Sequence, residues 1–164
     1  MRTRDLVTVG ARWLLGAFFV YMGFKKALHP EHFLELIRQY QMVDNAFLLN
    51  ALAAGLPWFE VLCGLLLLGG VAVRGAALWL ILMLVPFSLV VAHRALAIAA
   101  AQGQPFATVK FDCGCGAGEV VIWKKLLENG TFILLAGWLL LGYGRQFSAR
   151  FTVFGCPTQA PGDR

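Results

Sequence analysis

Four long apolar segments constrain the fold of this chain more than any other feature of its sequence. A helix that crosses a bilayer needs about 20 mostly apolar residues, and the segments that approach or exceed this length are 6–28, 46–73, 75–101 and 120–143. Strands are not expected, because an open sheet edge cannot face lipid. The sequence therefore predicts an all-α polytopic membrane protein, with a bundle of four transmembrane helices within residues 1–145 and a weakly structured polar tail at 146–164.

The composition favours a membrane protein and argues against a nucleic-acid partner. Apolar residues make up 59% of the chain and charged residues 14%, against about 45–50% and about 25% in soluble domains. The net charge is +5, but the basic residues are scattered at segment ends and form no basic face. Arg12 interrupts the first apolar run and no small-residue cleavage site follows it, so we interpret this run as an uncleaved membrane helix.

A short helix is predicted between the first two apolar segments, in the stretch HPEHFLELIRQY at residues 29–40. Pro30 suits the first turn of a helix, and Phe33, Leu34 and Ile37 recur at helical spacing. The pattern fits an amphipathic helix at the membrane interface, and an ordinary connector is the alternative.

Basic residues do not settle the topology, because they divide evenly between the two sides that four spans would create. Arg2 and Arg4 precede the first segment, which often dominates orientation, and they favour cytoplasmic termini. The loop between the third and fourth segments would then face the periplasm or the cell exterior, where disulfides persist.

Glu60 is an ionisable residue within the second apolar segment, where a carboxylate is costly unless it is paired, hydrated or protonated. A functional role and a structural ion pair are both open, and the candidate cationic partners are Arg12, Lys25, Lys26 and Arg94. Pro57 precedes Glu60 by one turn, and Cys63 follows on the same helix face. We interpret Cys63 as a small core residue.

Cys113 and Cys115 form the most specific motif, in the glycine-rich stretch VKFDCGCGAGE at residues 109–119. A disulfide across one intervening residue closes a small ring, and Gly114 and Gly116 supply the backbone freedom for it. A static bridge over so short a loop stabilises little, and a zinc site needs four ligands. These arguments favour a reversible redox pair over a structural disulfide or a metal site.

Other polar side chains support simpler interpretations. Arg94 is expected to reach the lipid headgroups along its own apolar stem. His29 and His32 lack a nearby cysteine or carboxylate in ligand register, so no metal site is predicted. Cys156 is interpreted as a thiol of the tail.

Several motifs together resemble the DoxX/MauE group of small four-helix membrane proteins. The resemblance covers residues 8–143 and rests on the stretches FVYMGFKKALHPEHFLELIRQY, LPWFEVLCGLLLLGG, FDCGCG and LLENGTFILLAGWLLL, although Gly116 follows Cys115 where the MauE branch usually has phenylalanine. The resemblance implies a bacterial inner-membrane protein associated with thiol–disulfide chemistry. It assigns Cys113 and Cys115 as the redox pair, with Pro57 and Glu60 as the signature of the second span.

The leading hypothesis is a membrane thiol–disulfide oxidoreductase or a component of one. Cys113 and Cys115 would exchange disulfides with a periplasmic thiol protein or a membrane redox complex, and the candidate carrier is a quinone held between helices near Glu60. The alternative is a non-catalytic subunit that anchors or assembles a larger complex. A small-solute transporter is a weaker alternative, because no two-fold repeat is visible.

Overall fold

Helices dominate the computed structural model, which describes residues 3–40, 45–113 and 119–141. Within these ranges the chain forms five α-helices: α1 (Thr3–Leu28), α2 (Pro30–Gln39), α3 (Ala46–Gly69), α4 (Val73–Gln102) and α5 (Ile122–Leu141). The prediction of an all-α bundle with a short helix after the first long one is confirmed. The predicted tail at 146–164 lies outside the described residues.

Three of the long helices are long and apolar enough to cross a membrane, namely α1 from Leu6 onward, α3 and α4. Helix α5 has 20 residues but carries Lys124, Lys125 and Glu128 in its first two turns. It runs antiparallel to α4, with Asn129 bonded to Ser88. That α5 also crosses the membrane remains our prediction.

The turn between α3 and α4 is tighter than the apolar pattern indicates. The second span was expected to reach residue 73, but α3 ends at Gly69. Gly70 has a φ of 70° and Ala72 a φ of 47°, and a left-handed backbone cannot continue a right-handed helix. Hydropathy gives no signal of this stop, because Val71 and Ala72 are themselves apolar.

Helices α1 and α3 pack closely because glycines face each other along their contact. A Cβ on Gly64 would lie 2.7 Å from the carbonyl oxygen of Gly16, and a Cβ on Gly23 would lie 2.7 Å from that of Pro57. Small residues let helix backbones approach in this way. From the sequence, Gly16, Gly23, Gly64, Gly69 and Gly70 are expected to be close helix-packing sites. The structure confirms this for Gly16, Gly23 and Gly64, whereas a Cβ on Gly69 would have only Val71 nearby, at 3.9 Å, and Gly70 closes α3.

Helix α2 has the predicted amphipathic character. Leu36 is buried and Phe33, Leu34 and Ile37 are half-buried, while Glu31, Glu35 and Arg38 are exposed. Its most extensive contacts are with α3. Its position at a membrane interface stays a prediction.

A short β-hairpin joins α4 to α5, although strands were not expected, so that prediction is wrong. Strand β1 (Lys110–Asp112) pairs antiparallel with β2 (Glu119–Val121), and Asp112 lies opposite Glu119. Open sheet edges are excluded only from the hydrocarbon region, and this hairpin connects the ends of two apolar helices. It therefore holds the segment before the Cys-x-Cys motif in a fixed register.

Two apolar clusters form the interior of the described residues. The larger one joins α1, α3, α4 and α5 through side chains such as Leu15, Leu67, Leu80 and Leu139. The smaller one lies under the hairpin and contains Val91, Ala95, Val109, Cys113 and Ile122. Large apolar side chains such as Trp13, Leu65 and Leu134 are exposed on the outside of the bundle, as expected for surfaces that face lipid.

Candidate functional site

Glu60 forms an ion pair with Lys26 inside the bundle. The Lys26 Nζ donates to both carboxylate oxygens of Glu60 at 2.7 Å, and the two side chains are only 10% and 12% exposed. Lys26 also lies over the ring of Phe33, at 5.5 Å from its centroid. Among the four candidate cations, Lys26 is therefore the partner of Glu60 in this structure.

The direction of the two helices explains why these side chains meet. Helical side chains lean toward the N-terminus of their own helix, and α1 and α3 are antiparallel. Lys26 therefore leans inward from the last turn of α1, and Glu60 leans toward the same end from the interior of α3. The close approach at Gly23 and Pro57 brings the two side chains within reach.

A cavity of about 530 Å³ lies beside this ion pair, lined by all four long helices. Most of its wall is apolar, including the aromatic side chains of Phe18, Phe19, Phe33, Phe87 and Phe132. Its charged and amide side chains are Lys26, Glu60, Lys125 and Asn129. A mostly apolar cavity with a few polar groups is the usual form of a small-molecule site.

Lys125 and Asn129 are cavity residues that the sequence analysis missed. Both are almost completely buried, at 4% and 2% exposure. The Lys125 Nζ donates to Glu128 at 3.1 Å and lies over the ring of Phe18, while the Asn129 amide donates to the Ser88 hydroxyl at 3.0 Å. The i, i+4 spacing of the pair on an otherwise apolar helix was the available signal.

Cys113 lies at the end of β1, and its side chain is fully buried in the smaller apolar cluster. Its carbonyl oxygen accepts a hydrogen bond from the Tyr40 hydroxyl at 2.9 Å. The hairpin is thus attached to the end of α2 as well as to α4 and α5. Cys115, the second predicted redox residue, lies outside the described residues.

Arg94 of α4 contacts an aromatic residue of the hairpin and the tyrosine at the end of α2. Its guanidinium lies 5.0 Å from the ring centroid of Tyr40 and 5.2 Å from that of Phe111. Both aromatic rings lie at cation–π distance from the guanidinium and stabilise its positive charge. That Arg94 also reaches the lipid headgroups stays a prediction.

The buried thiol and the cavity are neighbours in the same half of the bundle. Phe87 lines the cavity and also packs against the cluster that contains Cys113. The cavity residues of α4, 82–90, lie in the middle of that helix, whereas the hairpin joins its C-terminal end to the start of α5. Phe87 is thus the link between the cavity that Glu60 lines and the cluster that contains Cys113.

The other predicted residues take structural positions. Cys63 is buried in the larger cluster, as expected for a core residue. His29 and His32 are exposed, and the Nε2 of His32 lies 3.9 Å from an Asp112 carboxylate oxygen. The part of the chain that the structure describes contains no group of three or more side chains suited to hold a metal ion.

Packed helices with apolar outer faces, enclosing an ion pair and a cavity, define this chain as a multi-pass membrane protein. The chain belongs to the MauE family: the model of that family, described as methylamine utilisation protein MauE, matches residues 4–142. No curated protein and no solved structure matches the chain. The MauE part of the resemblance is thereby confirmed.

Proposed function

We propose that this protein is a membrane accessory of methylamine utilisation, the process named in the description of its family, and that it acts by thiol–disulfide exchange. The proposal rests on Cys113, which the hairpin and Tyr40 hold in a fixed, buried position two residues before Cys115. A redox pair needs two thiols within bonding reach. Because Cys113 is held in place, Cys115 would be the cysteine that reacts with a partner protein.

The burial of Cys113 supports different roles for the two cysteines. Exchange requires in-line access of an attacking thiolate to a sulfur atom, and the Cys113 side chain is inaccessible. A thiolate of the partner would attack the Cys115 sulfur and break the bond to Cys113, which leaves as a thiolate. The partner's second thiolate would then attack the mixed disulfide, so the partner gains a disulfide and this chain is left with two thiols.

The cysteine variants test this assignment in native membranes. Cys113→Ser is expected to accumulate a mixed disulfide in the reverse exchange, in which the Cys115 thiolate attacks the disulfide of an oxidised partner and the Cys113 thiolate that would complete the exchange is absent. Cys115→Ser should trap none. Cys63→Ala is the control, since Cys63 lies in the other apolar cluster. Differential alkylation and mass spectrometry would identify the trapped pair. Full activity of both variants with no trapped species would refute the exchange.

A non-catalytic anchoring role is the second candidate, and the burial of Cys113 favours it. A thiol in an apolar cluster can serve packing alone, and the hairpin could then be a rigid docking surface for a larger complex. This role predicts that Cys113→Ser alters complex assembly and leaves the redox state of Cys115 unchanged in native membranes.

A further inference from the structure

We infer that the cavity between the four long helices binds the head group of a lipid-soluble quinone, with Lys125 and Asn129 as the residues that recognise its carbonyl oxygens. The binding site depends on the cavity alone. Its role as the electron acceptor of the cysteine pair rests on the proposed function.

The cavity has the chemistry that a flat, uncharged carbonyl compound requires. Its wall combines five phenylalanine rings with few polar groups, and aromatic rings stack on flat conjugated ligands. Hydrogen-bond donors come from an ammonium and an amide that are both more than nine-tenths buried. An ammonium has three N–H donors, and the bond from Lys125 to Glu128 uses one of them.

The charges around the cavity favour a ligand whose oxygen atoms become more negative when it is reduced. Glu60 is neutralised by Lys26 through both of its oxygens. Glu128, which accepts from Lys125, has a side chain that is 39% exposed and does not line the cavity. The cavity wall therefore carries an excess of positive charge, which stabilises the oxygens of a quinone as they are reduced.

Access from the bilayer agrees with a lipid-soluble ligand. Leu82 and Pro86 line the cavity and are also exposed on the outer face of α4, where lipid would contact the bundle. An apolar tail can thus leave the cavity between helices while the head group stays inside. A phospholipid would instead have to bury its charged phosphate there, at a high desolvation cost.

The proximity of the cavity to Cys113 defines its place in the reaction. Phe87 borders both the cavity and the cluster around Cys113. When the cysteine pair is reoxidised, Cys113 and Cys115 lose two electrons and two protons and form one disulfide. A quinone that takes up the same two electrons and two protons becomes a quinol, so the exchange is balanced without any further oxidant.

Photolabelling of the purified full-length chain tests the site. The protein is placed in nanodiscs of phosphatidylethanolamine and phosphatidylglycerol and irradiated with an azido-benzoquinone that carries a decyl chain. Labelled peptides are expected at residues 82–90 and 125–132, and unlabelled decyl-benzoquinone should compete. Labels confined to other segments would overturn the inference, as would equal competition by a decyl phospholipid.

Two adjacent lysines provide a matched pair of variants. Lys125→Met should weaken labelling roughly 10- to 100-fold, the effect of losing one hydrogen bond from a charged donor. Lys124→Met should leave it unchanged, because Lys124 is exposed. Asn129→Leu should weaken labelling as well, and thermal unfolding shows which variants remain folded. Equal labelling of the folded Lys124 and Lys125 variants would contradict the assignment.

The cysteine variants separate this inference from the proposed function. The double variant Cys113→Ser/Cys115→Ser should keep wild-type labelling, because the cavity is lined by residues of the helices and Cys113 is not among them. If the cavity is labelled but native membranes show no disulfide exchange, the quinone site is supported and its role as electron acceptor of the cysteine pair is refuted. Exchange with no labelling of the cavity would retain the proposed function and refute the site.

Discussion

Removal of one charge from the Lys26–Glu60 pair should destabilise the bundle more than removal of both. At 2.7 Å and an effective dielectric constant of about 20, two unit charges attract by about 6 kcal/mol. Desolvation offsets much of this attraction, so the measurable quantity is the cost of leaving one charge alone. Breaking a buried pair on one side costs about 3–5 kcal/mol.

The change in the free energy of unfolding can be stated for the two single variants and for the double variant. Glu60→Gln and Lys26→Met should each lower the free energy of unfolding by about 3–5 kcal/mol, because each leaves a nearly buried charge without its partner. The double variant should cost at least about 3 kcal/mol less than the sum of the single variants. Lys25→Met is the matched control, since Lys25 is exposed on the same turn, and should change stability by less than about 0.5 kcal/mol.

Reversible unfolding in mixed micelles, followed by far-UV circular dichroism, measures these differences. Additive single and double variants would refute the argument that the pair acts as a unit. Disulfide exchange measured on the same variants separates structure from function at Glu60. A Glu60→Leu variant with full exchange activity would show that the carboxylate is dispensable for the chemistry.

Three further outcomes follow from the packing and the topology. Gly64→Ala should destabilise the protein by about 1–3 kcal/mol in the same unfolding assay, because its Cβ would meet the α1 backbone, whereas Gly55→Ala, with open space around it, should not. Tyr40→Phe removes the hydrogen bond to the Cys113 carbonyl, worth about 1 kcal/mol, and should raise the alkylation rate of Cys113 up to about fivefold. If the termini are cytoplasmic, an impermeant thiol reagent added to intact cells should leave Cys156 unlabelled, and labelling of Cys156 would reverse the topology.

Local sequence patterns predicted the helices well because membrane spans are a local property. About 20 apolar residues define a span whatever the rest of the chain does. The amphipathic spacing in residues 29–40 similarly predicted α2. The facing glycines were also visible in the sequence, since small residues mark close helix contacts in membranes. Only the pairing of Gly16 with Gly64 required the structure.

The features that the sequence analysis missed depend on contacts between distant residues. Three-residue strands carry too little pattern to be recognised, although valines and Phe111 flank the glycine-rich stretch of the sequence. Lys26 was one of four possible partners of Glu60, and only the offset between α1 and α3 selects it. Lys125 follows Lys124 directly, and a rotation of about 100° along the helix places one inside and the other outside.

The four long helices do not all pack against one another to the same extent, and this difference shows where the bundle separates most easily. The most extensive contacts join α1 to α3 and α4 to α5, while contacts between these two pairs are sparser. The cavity is lined by both pairs, and α3 and α4 are connected through the short turn at residues 70–72. The contact between the two pairs is therefore the one most easily loosened, with the turn as its fixed end. We expect lateral pressure in the bilayer to press the pairs together and reduce the cavity volume, and membrane tension to increase it.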